Sequence, residues 1–307
     1  MQDQQLFENV ITFPNSDSER RYTELVGLEE VKNNLVKEAE ILLNPSLLAE
    51  WSKKRHGNLI SLVSVFQDRH PFFIFAGDVG TGKSTLAETF GDQLARKNKL
   101  NIYLYRLSLN ARGAGAVGEM TRLISKAFEE VRSYAKQLKS SGGKHGSACI
   151  LLIDEADALA QSRELDQMHH EDRAGVNALI RGIDSVTKEH LPVITVMCTN
   201  RLNALDPAIV RRAATIFNFT RPTEEQRNQV LKTALQGTGI TEEQINVLTQ
   251  LTGPKNGKQY GFTYSDLIQK FLPTIILDAI PDNPITFERT KQIVENILPT
   301  PTFKENL

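Results

Sequence analysis

Five short apolar runs recur along the chain: FFIFA (72–76), NIYLYRLSL (101–109), ACILLID (148–154), LPVITVMC (191–198) and TIFNFT (215–220). Helical patterns separate them, and that alternation predicts an α/β fold with a five-stranded parallel sheet covered by helices on both faces. Ahead of the first run, YTELVGLEEVKNNLVKEAEILL carries apolar positions at helical spacing, and the polar segment 1–21 before it is expected to be a flexible leader. Beyond Pro222 the pattern changes. TEEQRNQVLKTALQG, TEEQINVLTQLTG, TYSDLIQKFLPTIILDAI and TFERTKQIVENIL each open on a threonine and a polar turn before an apolar helical period. The chain therefore divides into a large α/β domain over 22–221 and a small all-helical domain over 222–307.

Charge narrows the functions open to such a fold. Among 307 residues, 36 are basic and 37 acidic, and a net charge of -1 leaves no electrostatic footprint for sequence-independent nucleic-acid binding. The apolar runs are far too short to cross a bilayer, and MQDQQLFENV has no signal-peptide pattern, so a cytoplasmic protein without membrane contact is expected. Cys149 and Cys198 lie inside apolar runs and read as core packing. SSGGKHGS (140–147) has the composition of a surface loop.

The chemistry begins where the first run ends. Gly77-Asp78-Val79-Gly80-Thr81-Gly82-Lys83-Ser84 fits the phosphate-loop pattern, with a strand before it and a helical stretch, STLAETFGDQLARK, from Ser84 and Thr85 onward. In such a loop backbone N–H groups and the helix N-terminus face the phosphates of ATP, Lys83 reaches the terminal ones and Ser84 ligates Mg²⁺. ILLIDEAD (150–157) supplies the other half. Its apolar residues bury a strand whose tip puts Asp154 in place to hold Mg²⁺ and Glu155 in place to polarise a water for attack on the γ-phosphate.

With these motifs the chain resembles the AAA+ ATPases over about residues 22–298. Val26-Gly27-Leu28 resembles the segment that lines the family's adenine pocket, which assigns Val26 and Gly27 to the nucleotide. MCTN (197–200) ends the fourth run where the family carries its sensor-1 residue, so the resemblance implies that Asn200 contacts the γ-phosphate or the attacking water. Asp206 to Arg212, DPAIVRR, resembles the arginine-finger segment. It implies that Arg211 and Arg212 act on the ATP of a neighbouring subunit, hence a homo-hexamer; a basic helix end offsetting the helix dipole is the competing reading.

VNALIRGID (176–184), AIVRRAATIFNFTRPT (208–223) and GFTYSDLIQKFLP (261–273) look most like the branch that remodels HORMA-domain proteins, in its bacterial short form from cyclic-nucleotide antiphage signalling. That resemblance implies an ATP-driven remodeller whose substrate is a HORMA-domain protein, free or bound to a nucleotidyltransferase. A DNA-handling AAA+ ATPase of helicase or clamp-loader type is the alternative, and a nucleotide switch a third reading. Two departures stand out. The family's sensor-2 arginine falls near Ser265, where GFTYSD has none, and the pore loop, expected at Ala111 to Glu119, has Ala116 where many unfoldases place an aromatic. His169-His170, beside Asp166, Glu171 and Asp172, reads as part of a polar second pore loop with Arg163 and Arg173, not as a metal site. Trp51 and Phe66 read as core or subunit-contact residues.

Overall fold

The computed structural model describes residues 6–108, 119–140, 146–156, 170–254 and 260–302. The pore-loop residues 111–118, the acidic and histidine-rich stretch around His169, and most of 140–147 lie outside them.

All five apolar runs are strands: β2 (Phe72–Gly77), β3 (Asn101–Leu107), β4 (Ser147–Ile153), β5 (Val193–Thr199) and β6 (Thr215–Phe219). A sixth precedes them. Residues Phe7–Phe13 form β1, which pairs antiparallel with β3 from Phe7 opposite Leu107 to Phe13 opposite Ile102. The sheet is therefore six-stranded, in the order β1-β3-β4-β5-β2-β6, with β3, β4, β5 and β2 parallel.

This corrects both the five-stranded sheet and the flexible leader. The reason lies in the register, which shifts between Phe7 and Asn9. That irregularity breaks the period-two alternation in FENVITF by which a strand is recognised. Phe13 is fully buried, and Asn15 then caps α1 (Ser16–Thr23) by accepting from Ser18 N–H at 2.9 Å.

The remaining helices of the α/β part are α2 (Glu29–Leu43), α3 (Ser46–His56), α4 (Leu62–Gln67), α5 (Lys83–Asn98), α6 (Glu119–Ser140), α7 (His170–Lys188) and the short α8 (Pro207–Val210). Every residue of β5 is buried, as a central parallel strand covered on both faces requires. Leu123, Ile124, Ala127 and Phe128 of α6 and Val176, Leu179 and Ile183 of α7 pack with Leu151, Ile153 and Met197 of the sheet. Cys149 and Cys198 are buried free thiols; burial pushes Cys149 up to about 12, so it stays an inert core residue. Trp51 is 47% exposed and is no core residue.

The C-terminal helices are α9 (Glu224–Ala234), α10 (Glu242–Leu251), a π-helical segment Asp266–Phe271 continuing into α11 (Leu272–Ala279), and α12 (Phe287–Asn296). Thr223 and Thr241 form reciprocal capping boxes with Gln226 and Gln244, and Thr286 caps α12. Leu231, Leu248, Phe262, Leu267, Phe271 and Val294 make their core. The chain separates into two compact units, and the second is more than a C-terminal lid: it joins Phe219–Leu307 with Leu25–Glu29 and Gly77–Lys83.

Candidate active site

Each unit holds part of the expected chemistry. In the second, the phosphate loop turns through Gly80 at φ +72° and Gly82 at φ +94°, left-handed values at which a side chain would be strained. Lys83 is buried, and its ammonium donates to the carbonyls of Gly77 at 2.9 Å and Asp78 at 2.7 Å. Thr81 Oγ1 donates to the Asp78 carbonyl at 2.7 Å. Internal donors thus occupy the loop's carbonyls, while backbone N–H groups at a helix start are the donors a phosphate requires.

The segment at Val26 and Gly27 belongs to the same unit. Val26 packs against the helical core, and the Gly27 carbonyl accepts from Gln226 Nε2 at 2.7 Å. Tyr264 is buried beside Gly27, where an added Cβ would come within 2.5 Å of its hydroxyl. Burial pushes that phenol up to about 12, so it stays neutral. The turn from Thr263 to Ser265 packs on the phosphate loop, and Ser265 N–H donates to the Gly80 carbonyl at 3.1 Å. At the position where the sequence lacks an arginine, the chain makes a backbone bond to the loop instead.

The first unit carries the carboxylates. Ser84, in the first turn of α5, donates Oγ–H to Asp154 Oδ1 at 3.1 Å. Thr85 follows, its carbonyl accepting from Thr89 Oγ1 at 2.7 Å. Asp154 emerges from β4 half-buried, and its Oδ1 also accepts the Glu155 N–H at 3.0 Å. Glu155, just past the end of β4, is exposed and sits at φ +50°, a backbone conformation that costs a non-glycine residue about 1 kcal/mol. Asn200 follows β5, the neighbour of β4, half-buried in a turn fixed by the Arg201 N–H bond to Thr199 Oγ1 at 2.9 Å.

Sequence reasoning missed Arg106. Near the end of β3 it donates Nη2–H to Asp154 Oδ2 at 3.3 Å and Nε–H to Glu8 on β1, 2.9 Å away, and it pairs with Glu88 of α5. Glu88 also pairs with Arg21 at 2.7 Å. The signal for Arg106 was a lone cation inside a largely apolar strand, one residue before its end.

The two arginines expected to act as fingers are not equivalent. Asp206 caps α8 through Ala208 N–H at 2.8 Å, and the helix ends with Arg211 exposed. Arg212 instead forms a bidentate pair with Asp184 of α7, at 2.6 and 2.9 Å, and donates to the Ala208 carbonyl at 2.8 Å. His70 Nε2 also lies 3.1 Å from Asp184. The Arg212 hydrogen bond, with the guanidinium charge and the hydrogen bond to His70, holds the Asp184 carboxyl below the usual range against the opposing effect of burial. Arg212 is thus engaged within its own chain, whereas Arg211 makes no side-chain ion pair among the described residues.

The model for the ATPase family associated with various cellular activities (AAA) matches residues 73–221. CD-NTase-associated protein 6 of Escherichia coli (strain MS 115-1) is 50% identical over 299 residues, covering 97% of this chain and 96% of that protein. The chain is an AAA ATPase of the CD-NTase-associated protein 6 family. A solved structure of the E. coli MS115-1 HORMA:CdnC:Trip13 complex contains a chain 48% identical with TM-score 0.92, covering 98% of this chain and 99% of that one. The structure of Rhizobiales Trip13 is 44% identical with TM-score 0.76, covering 96% and 99%. Members of this family bind nucleotide. Ser84 Oγ and the Asp154 carboxylate are hard oxygen donors within one hydrogen bond of each other, which suits Mg²⁺. Among the described residues no cluster of three His, Cys, Asp or Glu could hold a metal ion, and no helix is long and apolar enough to cross a membrane.

Proposed function

We propose that this ATPase is an ATP-hydrolysing homo-hexamer that partly unfolds or disassembles a HORMA-domain protein, free or bound to a nucleotidyltransferase, in a bacterial antiphage signalling system. What carries the reading is likeness over almost the whole chain to a protein solved in complex with HORMA and CdnC partners.

The residues support a division of labour. The backbone of Gly77 to Gly82 and the Lys83 ammonium hold the phosphates, while Val26 and Gly27 flank the base. Ser84 and Asp154 would hold Mg²⁺, which supplies charge neutralisation on the β- and γ-phosphates. Glu155, exposed just past β4, orients and accepts a proton from the attacking water, and Asn200 fixes that water or the γ-phosphate. Arg211 reaches the neighbouring subunit's ATP and stabilises the charge that spreads over the γ-phosphoryl oxygens. Hydrolysis in turn moves substrate held at the pore segments. Arg212 is a positioning residue here, tying the finger segment to Asp184.

The experiment is remodelling itself. A closed HORMA protein carrying a fluorescent closure peptide is mixed with the ATPase and ATP, and peptide release is followed by anisotropy. Release with ATP but not with the Glu155→Gln variant is expected, that variant still binding ATP. Active ATP hydrolysis with no change in the HORMA protein contradicts the proposal.

A further inference from the structure

The phosphate-loop pattern leaves the residue after its first glycine open, and here that residue is Asp78. It sets a carboxylate on the turn whose N–H groups are read as the cradle for a polyphosphate, and an anion there repels the ligand. The chain compensates that charge inside the same unit. Arg221, just past β6, donates Nε–H to Asp78 Oδ2 at 2.7 Å, while Asp78 Oδ1 accepts the Val79 N–H at 2.9 Å. Arg221 and Asp78 side chains are 13% and 18% exposed, so solvent screens the pair weakly.

The same guanidinium reaches the helical segment. Its Nη1–H donates to the Gly261 carbonyl at 2.8 Å, and the group lies 4.6 Å over the Tyr260 ring. Nη2 has no hydrogen-bond partner among the described residues, so the fork keeps donor capacity in hand. A few residues on, Thr263 and Ser265 close over Gly80: a Cβ added there would come within 2.8 Å of Thr263 Oγ1 and 2.9 Å of Ser265 Cβ. Arg221 therefore bonds both the loop and the segment that lies on it.

We infer that Arg221 is a charge-compensating and positioning residue for nucleotide binding, neutralising Asp78 so that the loop accepts a polyphosphate and fastening the turn at Gly261 to that loop. The inference rests on reading Gly77 to Ser84 as the ATP loop, and it adds that the carboxylate of Asp78 must be offset for that loop to accept nucleotide.

The test is a charge cycle read by nucleotide affinity. Fluorescent ADP and a non-hydrolysable fluorescent ATP analogue are titrated by anisotropy into wild type, Arg221→Met, Asp78→Asn, the double variant and Arg221→Lys, with thermal melts of each. Arg221→Met is expected to bind about tenfold or more weakly, because it removes the guanidinium that offsets the Asp78 carboxylate in the loop. The double variant recovers most of that loss, and Arg221→Lys, which keeps the charge but not the fork that reaches Gly261, falls between Arg221→Met and wild type. A purely structural Arg221 would leave the double variant no better than Arg221→Met. That result, or wild-type affinity in Arg221→Met, overturns the inference. Absence of nucleotide binding in wild type overturns the reading of the loop instead.

Discussion

Ser84 Oγ lies 3.1 Å from Asp154 Oδ1, which joins the start of α5 to the tip of β4 through one hydroxyl and one carboxylate. Those are the two donors assigned to Mg²⁺. Replacing Ser84 with Ala removes one of them and leaves the fold untouched. The Mg²⁺ concentration for half-maximal ATPase activity is expected to rise about tenfold or more, with nucleotide affinity in EDTA unchanged. A magnesium titration of the steady-state rate checks this, and an unaltered midpoint removes Ser84 from the metal site.

Arg106 holds the other face of Asp154, its Nη2 3.3 Å from Oδ2. Outer groups that orient a metal ligand are worth roughly 10- to 100-fold in affinity or activity. Arg106→Met is expected to lower kcat by about that factor while ADP binds normally in EDTA. Equal losses of kcat and of ADP affinity indicate general disruption of the site and contradict a positioning role.

β1 makes the N-terminal segment part of the fold. Phe13 is fully buried, so Phe13→Ala is expected to cost about 3–5 kcal/mol in denaturant unfolding. A change within about 0.5 kcal/mol, as for an exposed surface site, fits a flexible leader and not this strand.

Asp266 makes the stability of the helical unit depend on pH. It is buried, which opposes its charge, yet bonds from Lys270, from Thr263 N–H and from Thr300 hold its pKa at about 2. Its folded pKa lies below the unfolded value near 4, so it stabilises fully above about pH 4 and less as pH falls toward 2. Asp266→Asn is therefore destabilised relative to wild type at pH 7, and the gap closes between about pH 4 and pH 2. Paired denaturant titrations at several pH values measure it; a gap independent of pH contradicts the assignment.

What the sequence disclosed follows from physical range. Parallel strands bury both faces and read as continuous apolar runs, and threonine caps announce helices locally, so β2 to β6 and the starts of α9, α10 and α12 were legible. The phosphate loop and Asp154-Glu155 were legible because their chemistry is packed into a few adjacent positions. β1 was not, since a register shift hides its alternation. Nor were the charge pairs: Arg221 with Asp78, Arg212 with Asp184 and Arg106 with Asp154 join residues far apart in the chain, and no local pattern ties them. The pairing of Arg212 separates two arginines that looked interchangeable in DPAIVRR. Arg212→Ala is expected to cost about 1 kcal/mol of stability, the Asp184 side being partly solvent-exposed, with no rescue by other subunits.

The central claim is that one subunit's Arg211 completes the site built around another's Glu155, and subunit mixing measures it most directly. Arg211→Ala and Glu155→Gln proteins are each expected to hydrolyse ATP at about 1% of wild type or less. Mixed in equal amounts and assembled with ATP, they should regain up to about a quarter of the wild-type rate, because half the sites keep Glu155 and half of those face an intact arginine. A mixture no faster than the sum of its two inactive parts contradicts a shared site.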